Sequence, residues 1–246
     1  MLAKHIICVI PAYNEKGNLE ELIKKLEIAL TPLCKEFTIM FVIQGDDGSR
    51  ELLDKITIKH SNITYLYYRE PLGIGKAFQK GFEQVTNSYT HVLTLDADLN
   101  HNPANIIHLF NKMDTSKADL VVGSRYMPGG KFLDKRAWKR FASRFVNKVV
   151  QIILRIHIRD VTSGYRLMKV QLVRRVTPYL RESRYPYYME FLVVAKRLGF
   201  IISEVPITYT PRRWGVSKMK ILDTLAGYLV FFWRMLIAGR LNKNDK

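Results

Sequence analysis

The sequence predicts an α/β fold with a mostly parallel sheet that is flanked by helices. Short apolar runs of strand type, at residues 6–10, 37–43, 63–68, 91–95 and 119–123, alternate with helical patterns in the first half of the chain. Strands separated by amphipathic helices form β-α-β units, whose sheet is buried on both faces. With 246 residues and 48% hydrophobic side chains, the chain can bury a large core, which excludes intrinsic disorder.

Helices are predicted where apolar side chains recur at helical spacing. In the first half these segments are 19–30, 77–85 and the one after Pro103, a residue that suits the first turn of a helix. After residue 126 the pattern predicts a turn at 128–130, a basic helix over 137–157, a turn at 162–164, helices over 170–182 and 187–198, and a last strand over 202–209. Because no repeat or Gly/Ser-rich linker interrupts the chain, we expect one continuous domain with a basic carboxy-terminal elaboration.

Positive charge is concentrated in the second half of the chain. Residues 1–124 contain 13 basic and 15 acidic side chains, a net charge of −2, whereas residues 125–246 contain 26 and 7, a net charge of +19. A uniformly basic protein would suggest nucleic acid, but here the excess lies entirely in one half. We therefore expect the two halves to meet different partners.

Two features bear on the cellular compartment. Cys8 and Cys34 are too few for a disulfide framework or a four-ligand zinc site, which favours a reducing compartment. The apolar run before Pro11 has about six residues, too short for the core of a signal peptide, so no export is expected.

The final apolar segment, residues 221–239, has roughly the 20 residues that a bilayer span needs. It contains Asp223 and Arg234, and each such charge costs roughly 2.5–3.5 kcal/mol at the centre of a spanning helix. Both charges lie toward the ends of the segment, and basic residues flank it. We expect a helix that lies in the membrane interface; a span and an ordinary core helix are the alternatives.

Acidic residues follow three of the predicted strands. Glu15 comes after the first strand, Asp46 and Asp47 after the second, and Asp96 and Asp98 after the fourth. In open α/β sheets, ligands bind beyond the carboxyl ends of the strands. We therefore expect these acids to converge on one edge of the sheet.

The pair of acids in the Asp96-Ala97-Asp98 segment suits a divalent cation. Two carboxylates two positions apart in an extended segment can serve one ligand, and Mg²⁺ is commonly bound by one or two carboxylates together with phosphate oxygens. An isolated D-x-D is more often a polar turn. The acidic groups at the other two strand ends favour the metal interpretation.

Eight motifs occur in one order between residue 5 and about residue 220: PAYNE, DDGS, LDADLNHNP, VVGSRYMPGG, DVTSGYRLMK, YYMEFLVVAKRLGF, EVPITY and RRWGVSKM. This set resembles the family 2 glycosyltransferases, of GT-A fold, and within them the dolichyl-phosphate mannosyltransferases. The resemblance implies a catalytic domain over 1–220, with a nucleotide-sugar and metal half over 1–124 and an acceptor half over 125–220. Residues 221–246 would then form a membrane-interface helix and a basic tail.

The resemblance also implies roles for individual residues. The nucleotide sugar is expected to contact Pro11, Tyr13, Glu15, Ile43, Asp46, Asp96, Ala97, Asp98, Arg125, Arg212 and Lys218. The metal ion, Mg²⁺ or Mn²⁺, is expected on Asp96, Asp98 and Asn100, although relatives often have Gln in place of Asn100. Asp98 and Arg125 would be the catalytic residues. The lipid phosphate would bind Arg140, Ser143 and Arg144.

The chemistry of the side chains agrees with the nucleotide roles. An aromatic ring such as Tyr13 can cover a base, with packing over the sheet edge as its alternative, and a carboxylate can accept hydrogen bonds from a base or a ribose. Asp46 is favoured over Asp47 for the base by its position in the motif. Asp47 is expected to support the turn.

The helix predicted over 137–157 is basic and amphipathic. Arg140, Arg144 and Lys148 recur at intervals of four beside an apolar stripe, and residues 125–175 contain 14 basic side chains against two acidic ones. A single charge here would usually be solvated. Together, the 14 basic side chains favour an anionic partner, either an acceptor phosphate or a membrane surface. An anionic membrane surface attracts each nearby Lys or Arg by about 1 kcal/mol.

The resemblance implies an inverting, metal-dependent transfer of mannose from GDP-mannose to dolichyl or another polyprenyl phosphate. The expected place is the cytoplasmic face of the endoplasmic reticulum or plasma membrane, with small anchoring subunits as further partners. UDP-glucose is the main alternative donor. A soluble enzyme with a hydroxyl acceptor is another alternative and would need a general base, for which Asp160 and Glu190 are candidates, although both are expected to orient basic residues or terminate structure.

A nucleic-acid-binding module is the alternative that is not an enzyme. It would explain the basic half of the chain. The sequence has no RRM, zinc-finger or helix-turn-helix signature, and this interpretation leaves the two aspartates after the fourth strand without a role. We therefore expect no nucleic-acid partner.

Overall fold

The structure is a computed structural model that describes residues 3–133, 137–154 and 156–211, together with the helical positions 227, 228, 230, 231, 233 and 234. Within these ranges, the side chains of residues 3, 4, 137–142, 146, 153 and 154 are outside the description. Three of the expected site residues are therefore outside the described part of the chain: Arg212, Lys218 and, for its side chain, Arg140. Most of segment 221–246 is outside it as well.

Most strands join one sheet. The strands are β1 (Ala3–Tyr13), β2 (Cys34–Gln44), β3 (Ile63–Tyr68), β4 (His91–Thr94), β5 (Leu120–Ser124), β6 (Lys131–Phe132), β7 (Arg166–Lys169), β8 (Ile202–Pro206) and β9 (Thr208–Tyr209). Seven of them form a sheet in the order β3-β2-β1-β4-β7-β5-β8, in which only β7 runs antiparallel to its neighbours. Strands β6 and β9 form a separate parallel pair. The predicted mostly parallel sheet is confirmed.

Helices cover both faces of this sheet. They are α1 (Lys16–Leu30), α2 (Ser49–Thr57), α3 (Ile74–Phe82), α4 (Ile106–Ser116), α5 (Ala137–Leu154), α6 (Val170–Val176) and α7 (Tyr187–Arg197). Side chains of β1 alternate between two apolar clusters: Ile6 and Cys8 belong to the cluster with α1 and α4, whereas Ile7 and Val9 belong to the cluster with α3, α6 and α7. This alternation with a period of two places a core on each face.

Some elements differ from the sequence-based prediction. Helix α2 and the short strands β6 and β7 were not predicted, and the strand predicted over 202–209 is divided into β8 and β9. Strand β7 has only two apolar residues, and it is a strand because it pairs with β4 on one side and with β5 on the other. The helix predicted over 170–182 ends at Val176, where a 3₁₀ turn containing Pro178 follows.

A glycine turn folds the chain back after β5 and forms the small β6–β9 sheet. Gly129 has a φ of 87°, and a Cβ atom on Gly130 would lie 2.6 Å from the carbonyl oxygen of Ser124, so both positions require glycine. The turn places Phe132 beside Tyr209 in register. It thereby brings β9 to the carboxyl end of β5.

The described positions of the final segment are helical and have two different faces. Phe231 is buried, and Arg234 forms ion pairs of 2.8 Å with Glu182 and Glu190, so one face packs on the domain. On the other face, Val230 and Trp233 are exposed. Among the helices that the structure describes, none has both the length and the apolar character to cross a bilayer.

Candidate active site

The three strands with acidic ends lie side by side. Strands β2, β1 and β4 are neighbours in the sheet, and because they are parallel their carboxyl ends meet at one edge. We call this the acidic edge; its members are Glu15, Asp46, Asp47, Asp96 and Asp98. The convergence expected from the sequence is therefore present. Strand β1 continues to Tyr13, so Pro11 is part of the strand rather than of the loop after it.

At the ends of β1 and β2, Tyr13 lies beside Gly45. Gly45 has a φ of 92°, and a Cβ atom there would approach the Tyr13 ring to 3.1 Å. Tyr13 is 37% exposed and Asp46 is exposed, whereas Ile43 is buried in the core. The surface next to the turn therefore presents one aromatic ring and one carboxylate to a ligand.

Asp47 supports the turn, as its position predicts. Its carboxylate accepts hydrogen bonds from the backbone N–H groups of Lys16, at 2.9 Å, and Ser49, at 3.1 Å. Burial would raise the pKa of Asp47, but these hydrogen bonds favour the charged form more strongly and the pKa is lowered. On the neighbouring loop, Glu15 accepts a hydrogen bond of 2.6 Å from the side-chain amide of Asn18.

The loop after β4 is held by hydrogen bonds to Asp98. This buried carboxylate accepts the backbone N–H of Asn100 at 3.1 Å and the side-chain Nδ2 of Asn100 at 2.5 Å. Leu99 between them has a φ of 59°, which turns the chain tightly enough for both contacts. Ala97 is buried in the core. The loop therefore holds the side chains of Asp98 and Asn100 together.

Asp96 contacts groups from other elements. The hydroxyl of Tyr188, on α7, donates a hydrogen bond of 3.2 Å to Oδ1 of Asp96, and Nδ1 of His101 lies 3.8 Å from Oδ2. Burial lowers the pKa of His101 to about 4, so the imidazole is neutral at pH 7. A Cβ atom on Gly164 would lie 3.0 Å from Tyr188 and 3.2 Å from Oδ1 of Asp96, so glycine allows the chain to pack closely against both side chains.

The loop after β4 fits a divalent cation that is shared with a phosphate ligand. Oδ1 of Asn100 is buried and, among the described residues, has no hydrogen-bond partner, so an acceptor oxygen remains next to Asp98. In the described part of the chain, no group of three or more His, Cys, Asp or Glu side chains is arranged for a metal. Two carboxylates and an amide oxygen are a donor set for Mg²⁺ or Mn²⁺ when phosphate oxygens complete the coordination.

Arg125 follows β5 directly and forms a buried ion pair with Asp160. Nε and Nη2 of Arg125 each donate a hydrogen bond of 2.7 Å to the carboxylate, and Nη2 also donates to Thr162 at 2.8 Å. Burial would favour the neutral form of both groups, but their attraction and hydrogen bonds dominate. The pKa of Asp160 is therefore lowered and the pKa of Arg125 is raised.

Three aromatic rings surround the guanidinium of Arg125. Its Cζ atom lies 4.8 Å from the ring centre of Phe132, 5.3 Å from that of Tyr126 and 5.4 Å from that of Tyr209. Contacts between a cation and a ring face are attractive and exclude water from the ion pair. They restrict the guanidinium to one orientation beside the carboxyl end of β5.

A cavity of about 350 Å³ opens next to Arg125. The described residues that line it are Arg125, Tyr126, Met127, Gly130, Arg144, Asn147, Lys148, Gln151 and Arg159. We call it the basic cavity, because four of these side chains are cationic and none is Asp, Glu or His. Such a lining suits a phosphate or another oxyanion.

Helix α5 contributes one wall of the basic cavity. The hydroxyl of Tyr126 donates a hydrogen bond of 2.7 Å to Oγ of Ser143, and Cζ of Arg144 lies 5.8 Å from the centre of the Tyr126 ring. Asn147 accepts the backbone N–H of Val161 at 2.7 Å and thereby ties α5 to the loop that carries Asp160. Of the three residues expected to bind lipid phosphate, Arg144 lines the cavity and Ser143 lies beside it.

The two carboxylates considered as general bases have other partners. Asp160 is occupied by Arg125, as described above. Glu190 accepts the backbone N–H groups of Arg181, at 2.9 Å, and Glu182, at 2.8 Å, and its other oxygen pairs with Arg234. Asp160 thus orients a basic residue, as expected, whereas Glu190 joins residues 181 and 182 to Arg234 of the final helix.

Several residues of the site were not singled out from the sequence. Tyr188 and Tyr209 contact the loop after β4, His101 lies within that loop, and Arg159 extends the basic cavity. The EVPITY motif contains Tyr209 and the YYMEF motif contains Tyr188, so the motif set was the available signal. Which partners these tyrosines meet depends on tertiary packing.

Comparison with known proteins identifies the family. Residues 7–177 match the family described as Glycosyl transferase family 2. The chain is 31% identical to the polyprenol monophosphomannose synthase of Mycolicibacterium smegmatis over 218 residues, covering 87% of this chain and 80% of that protein. It is 30% identical to the undecaprenyl-phosphate mannosyltransferase of Micrococcus luteus over 217 residues, which is 87% of each chain.

Solved structures match the fold. The glucosyl-3-phosphoglycerate synthase of Mycobacterium tuberculosis, in complex with Mn²⁺, uridine diphosphate and glucosyl-3-phosphoglycerate, superposes with a TM-score of 0.62. The match covers 91% of this chain and 75% of that one, at 18% identity, and therefore concerns the fold alone. The same synthase has also been solved with Mg²⁺ and uridine diphosphate, with a TM-score of 0.61, 19% identity and coverage of 90% and 74% of the two chains. The sheet order, the helices on both faces and the extent of the family match all agree: the chain belongs to glycosyl transferase family 2, has the GT-A fold and is a glycosyltransferase.

Proposed function

We propose that the enzyme transfers mannose from GDP-mannose to a polyprenyl phosphate at a membrane surface, with inversion at the anomeric carbon. The observation that carries this proposal is the basic cavity beside Arg125, whose lining has four cations and, among the described residues, no acid. Two relatives at 30–31% identity are named as polyprenol-phosphate mannose synthases or transferases, which supports the same acceptor class.

The acceptor phosphate needs no general base. Its oxygen is already anionic near neutral pH, so it can form the bond to the anomeric carbon while the bond from that carbon to the diphosphate oxygen breaks and the diphosphate leaves with the electron pair. A hydroxyl acceptor would have to lose a proton. Asp160 and Glu190 are engaged in ion pairs and backbone hydrogen bonds, so neither is available for that task.

On the donor side, we assign the nucleotide to the acidic edge. Tyr13 would cover the base, and Asp46 would accept hydrogen bonds from base N–H groups, of which guanine offers two neighbouring ones and uracil a single one. This difference favours GDP over UDP. Pro11, Ile43 and Ala97 would shape the floor and the side of this surface, and Glu15 would add a further carboxylate beside it.

The metal ion would be held by Asp96, Asp98 and Asn100. When bound, a divalent cation neutralises the charge that develops on the departing diphosphate. Asp98 and the backbone of Asn100 keep the loop closed around this position through their hydrogen bonds. Arg125, oriented by Asp160, supplies a second positive charge between the acidic edge and the basic cavity, where it stabilises either phosphate.

We further propose that α5 and the final helix contact the membrane. Phe145 and Ile152, two turns apart on α5, are 63% and 66% exposed, and Arg144 and Lys148 lie on the same helix. Exposed apolar side chains beside cations are typical of helices that lie in a lipid interface. Trp233 on the final helix adds a further exposed aromatic ring. Free thiols at Cys8 and Cys34 support the cytoplasmic face.

A matrix of donors and acceptors tests the function. The full chain is incubated with Mn²⁺, labelled GDP-mannose or UDP-glucose, and polyprenyl phosphate, and organic-phase product is counted; the same reactions are run with no metal. We expect product with GDP-mannose and metal only. Product with UDP-glucose but not with GDP-mannose would show that UDP-glucose is the donor. The absence of product with every nucleotide sugar would refute the function. Adding membranes that contain anchoring subunits tests whether the chain acts alone.

A further inference from the structure

Tyr209 contacts both sides of the proposed reaction centre. Its hydroxyl oxygen accepts a hydrogen bond of 2.5 Å from Nδ2 of Asn100, and its ring centre lies 5.4 Å from Cζ of Arg125. The backbone around it is fixed on two sides, because Thr210 donates to the carbonyl of Asn100 at 3.2 Å and Leu133 donates to the carbonyl of Tyr209 at 3.0 Å. The tyrosine is thus attached to the loop after β4 and to β6 at once.

The hydroxyl of Tyr209 determines how the Asn100 amide is oriented. Nδ2 of Asn100 has two hydrogens, and their acceptors are Oδ2 of Asp98, at 2.5 Å, and the hydroxyl of Tyr209. Both donors of the amide are therefore used. What remains is Oδ1, which is buried and lacks a hydrogen-bond partner within the described part of the chain. Without Tyr209, one of the two contacts that select this orientation would be lost.

The ring of Tyr209 is itself held firmly. It packs edge-to-face on Phe132, at 5.0 Å and 88°, and on His101, at 5.6 Å and 76°. Such perpendicular ring contacts are favourable and directional. The position of the hydroxyl oxygen is therefore fixed relative to both Asn100 and the guanidinium of Arg125.

We propose that Tyr209 is a positioning residue that couples the metal site to the acceptor side of the enzyme. Its hydroxyl keeps Oδ1 of Asn100 available to the divalent cation, while its ring keeps the guanidinium of Arg125 in place beside the basic cavity. This inference rests on the metal-dependent function proposed above. Residues that orient a metal ligand typically change metal affinity by 10–100-fold when they are replaced.

The test compares two tyrosines that differ in one contact. Tyr209→Phe keeps the ring and removes only the hydroxyl. Tyr126→Phe is the matched control, because Tyr126 also lies over Arg125 but its hydroxyl bonds to Ser143. Binding of Mn²⁺ is measured by electron paramagnetic resonance with the full chain and GDP, after circular dichroism has shown equal folding. We expect Tyr209→Phe to bind Mn²⁺ at least tenfold more weakly, Tyr126→Phe to bind as the wild type does, and excess Mn²⁺ to restore turnover of Tyr209→Phe.

A second variant tests the coupling to Arg125. Tyr209→Leu removes the ring as well, and we expect it to raise the KM for polyprenyl phosphate beyond that of Tyr209→Phe. Equal Mn²⁺ binding by the wild type and Tyr209→Phe, or equal KM values for the two variants, would overturn the inference while leaving the proposed function intact. If the wild type itself binds no Mn²⁺ with either GDP or UDP, the metal role fails and the inference fails with it.

Discussion

The carboxylate of Asp160 binds both the side chain and the backbone of Arg125. Oδ2 accepts Nε at 2.7 Å and the backbone N–H at 2.9 Å, while Oδ1 accepts Nη2 at 2.7 Å. Asp160 has no exposed surface. Because Arg125 is the first residue after β5 and lines the basic cavity, this pair fixes a cation at the carboxyl end of β5, beside the cavity.

Removal of the Asp160 charge should affect stability and activity together. We expect Asp160→Asn to lower the free energy of unfolding by about 3 kcal/mol, because it leaves a buried guanidinium without its counter-charge. Turnover should fall by at least tenfold, since Arg125 loses its orientation. Urea unfolding and initial rates measure the two effects. Glu83→Gln is the control: Glu83 is exposed and pairs with Lys80 at 2.7 Å, so its replacement should lower the free energy of unfolding by less than about 1 kcal/mol. A change of similar size in both variants would contradict the assigned role of the buried pair.

The same pair predicts a pH dependence. The pKa of Asp160 is lowered in the folded protein, so its stabilising contribution is complete above the unfolded value of about 3.9 and is lost only as pH falls through the folded pKa. The difference in unfolding free energy between the wild type and Asp160→Asn should therefore stay constant from pH 7 to about pH 4 and shrink below it. If this difference in unfolding free energy already disappeared between pH 7 and pH 5, Asp160 would not be held in its charged form.

Asp98 is predicted to be essential for transfer. We expect Asp98→Ala to lower kcat by roughly a thousandfold, because the metal and the charge stabilisation that it supplies are lost. Mn²⁺ binding in the presence of GDP should disappear in parallel. Asp114→Ala, at an exposed position of α4, serves as the control. Full activity of Asp98→Ala would remove this carboxylate from the mechanism.

Arg144 should contribute to binding of the acceptor and not to binding of the donor. We expect Arg144→Ala to raise the KM for polyprenyl phosphate by about tenfold, the effect of losing one charge-assisted hydrogen bond to a phosphate. The KM for GDP-mannose should remain unchanged. Arg174→Ala removes an exposed arginine of α6 as a control. If Arg144→Ala raises the KM of the donor instead, the basic cavity belongs to the nucleotide.

Membrane contact should depend on the apolar residues of α5. We expect Phe145→Glu to weaken sedimentation with vesicles of anionic lipid by about tenfold, since one exposed aromatic side chain no longer enters the lipid. Ile58→Glu is the control, because Ile58 is 85% exposed but lies just after α2, on another part of the surface. Equal binding of Phe145→Glu and the wild type would place the membrane contact elsewhere.

The sheet and the acidic edge were predictable from the sequence for a local reason. Strand periodicity is encoded residue by residue, and the carboxyl ends of parallel strands meet wherever the strands are neighbours, so Asp46, Asp96 and Asp98 could be brought together without a structure. Strand β7 could not be predicted, because its four residues become a strand only between β4 and β5.

The contacts that orient the site were not predictable, since they join residues distant in sequence. Asp160 lies 35 residues after Arg125, and Tyr209 lies 109 residues after Asn100. Neither pairing follows from spacing; both depend on how the small β6–β9 sheet and α5 pack beside β5. The motifs contain these residues, but only the fold shows which of them touch.

The most direct test of the account compares polyprenyl phosphate with the corresponding free polyprenol as acceptors for GDP-mannose. We assign the acceptor to the basic cavity, where none of the described lining residues is a carboxylate or histidine that could act as general base. This assignment predicts transfer to the phosphate only, with a product whose mass equals polyprenyl phosphate plus one hexosyl residue and whose sugar is released by mild acid. Transfer to the polyprenol at a comparable rate, or a product that resists mild acid, would contradict it.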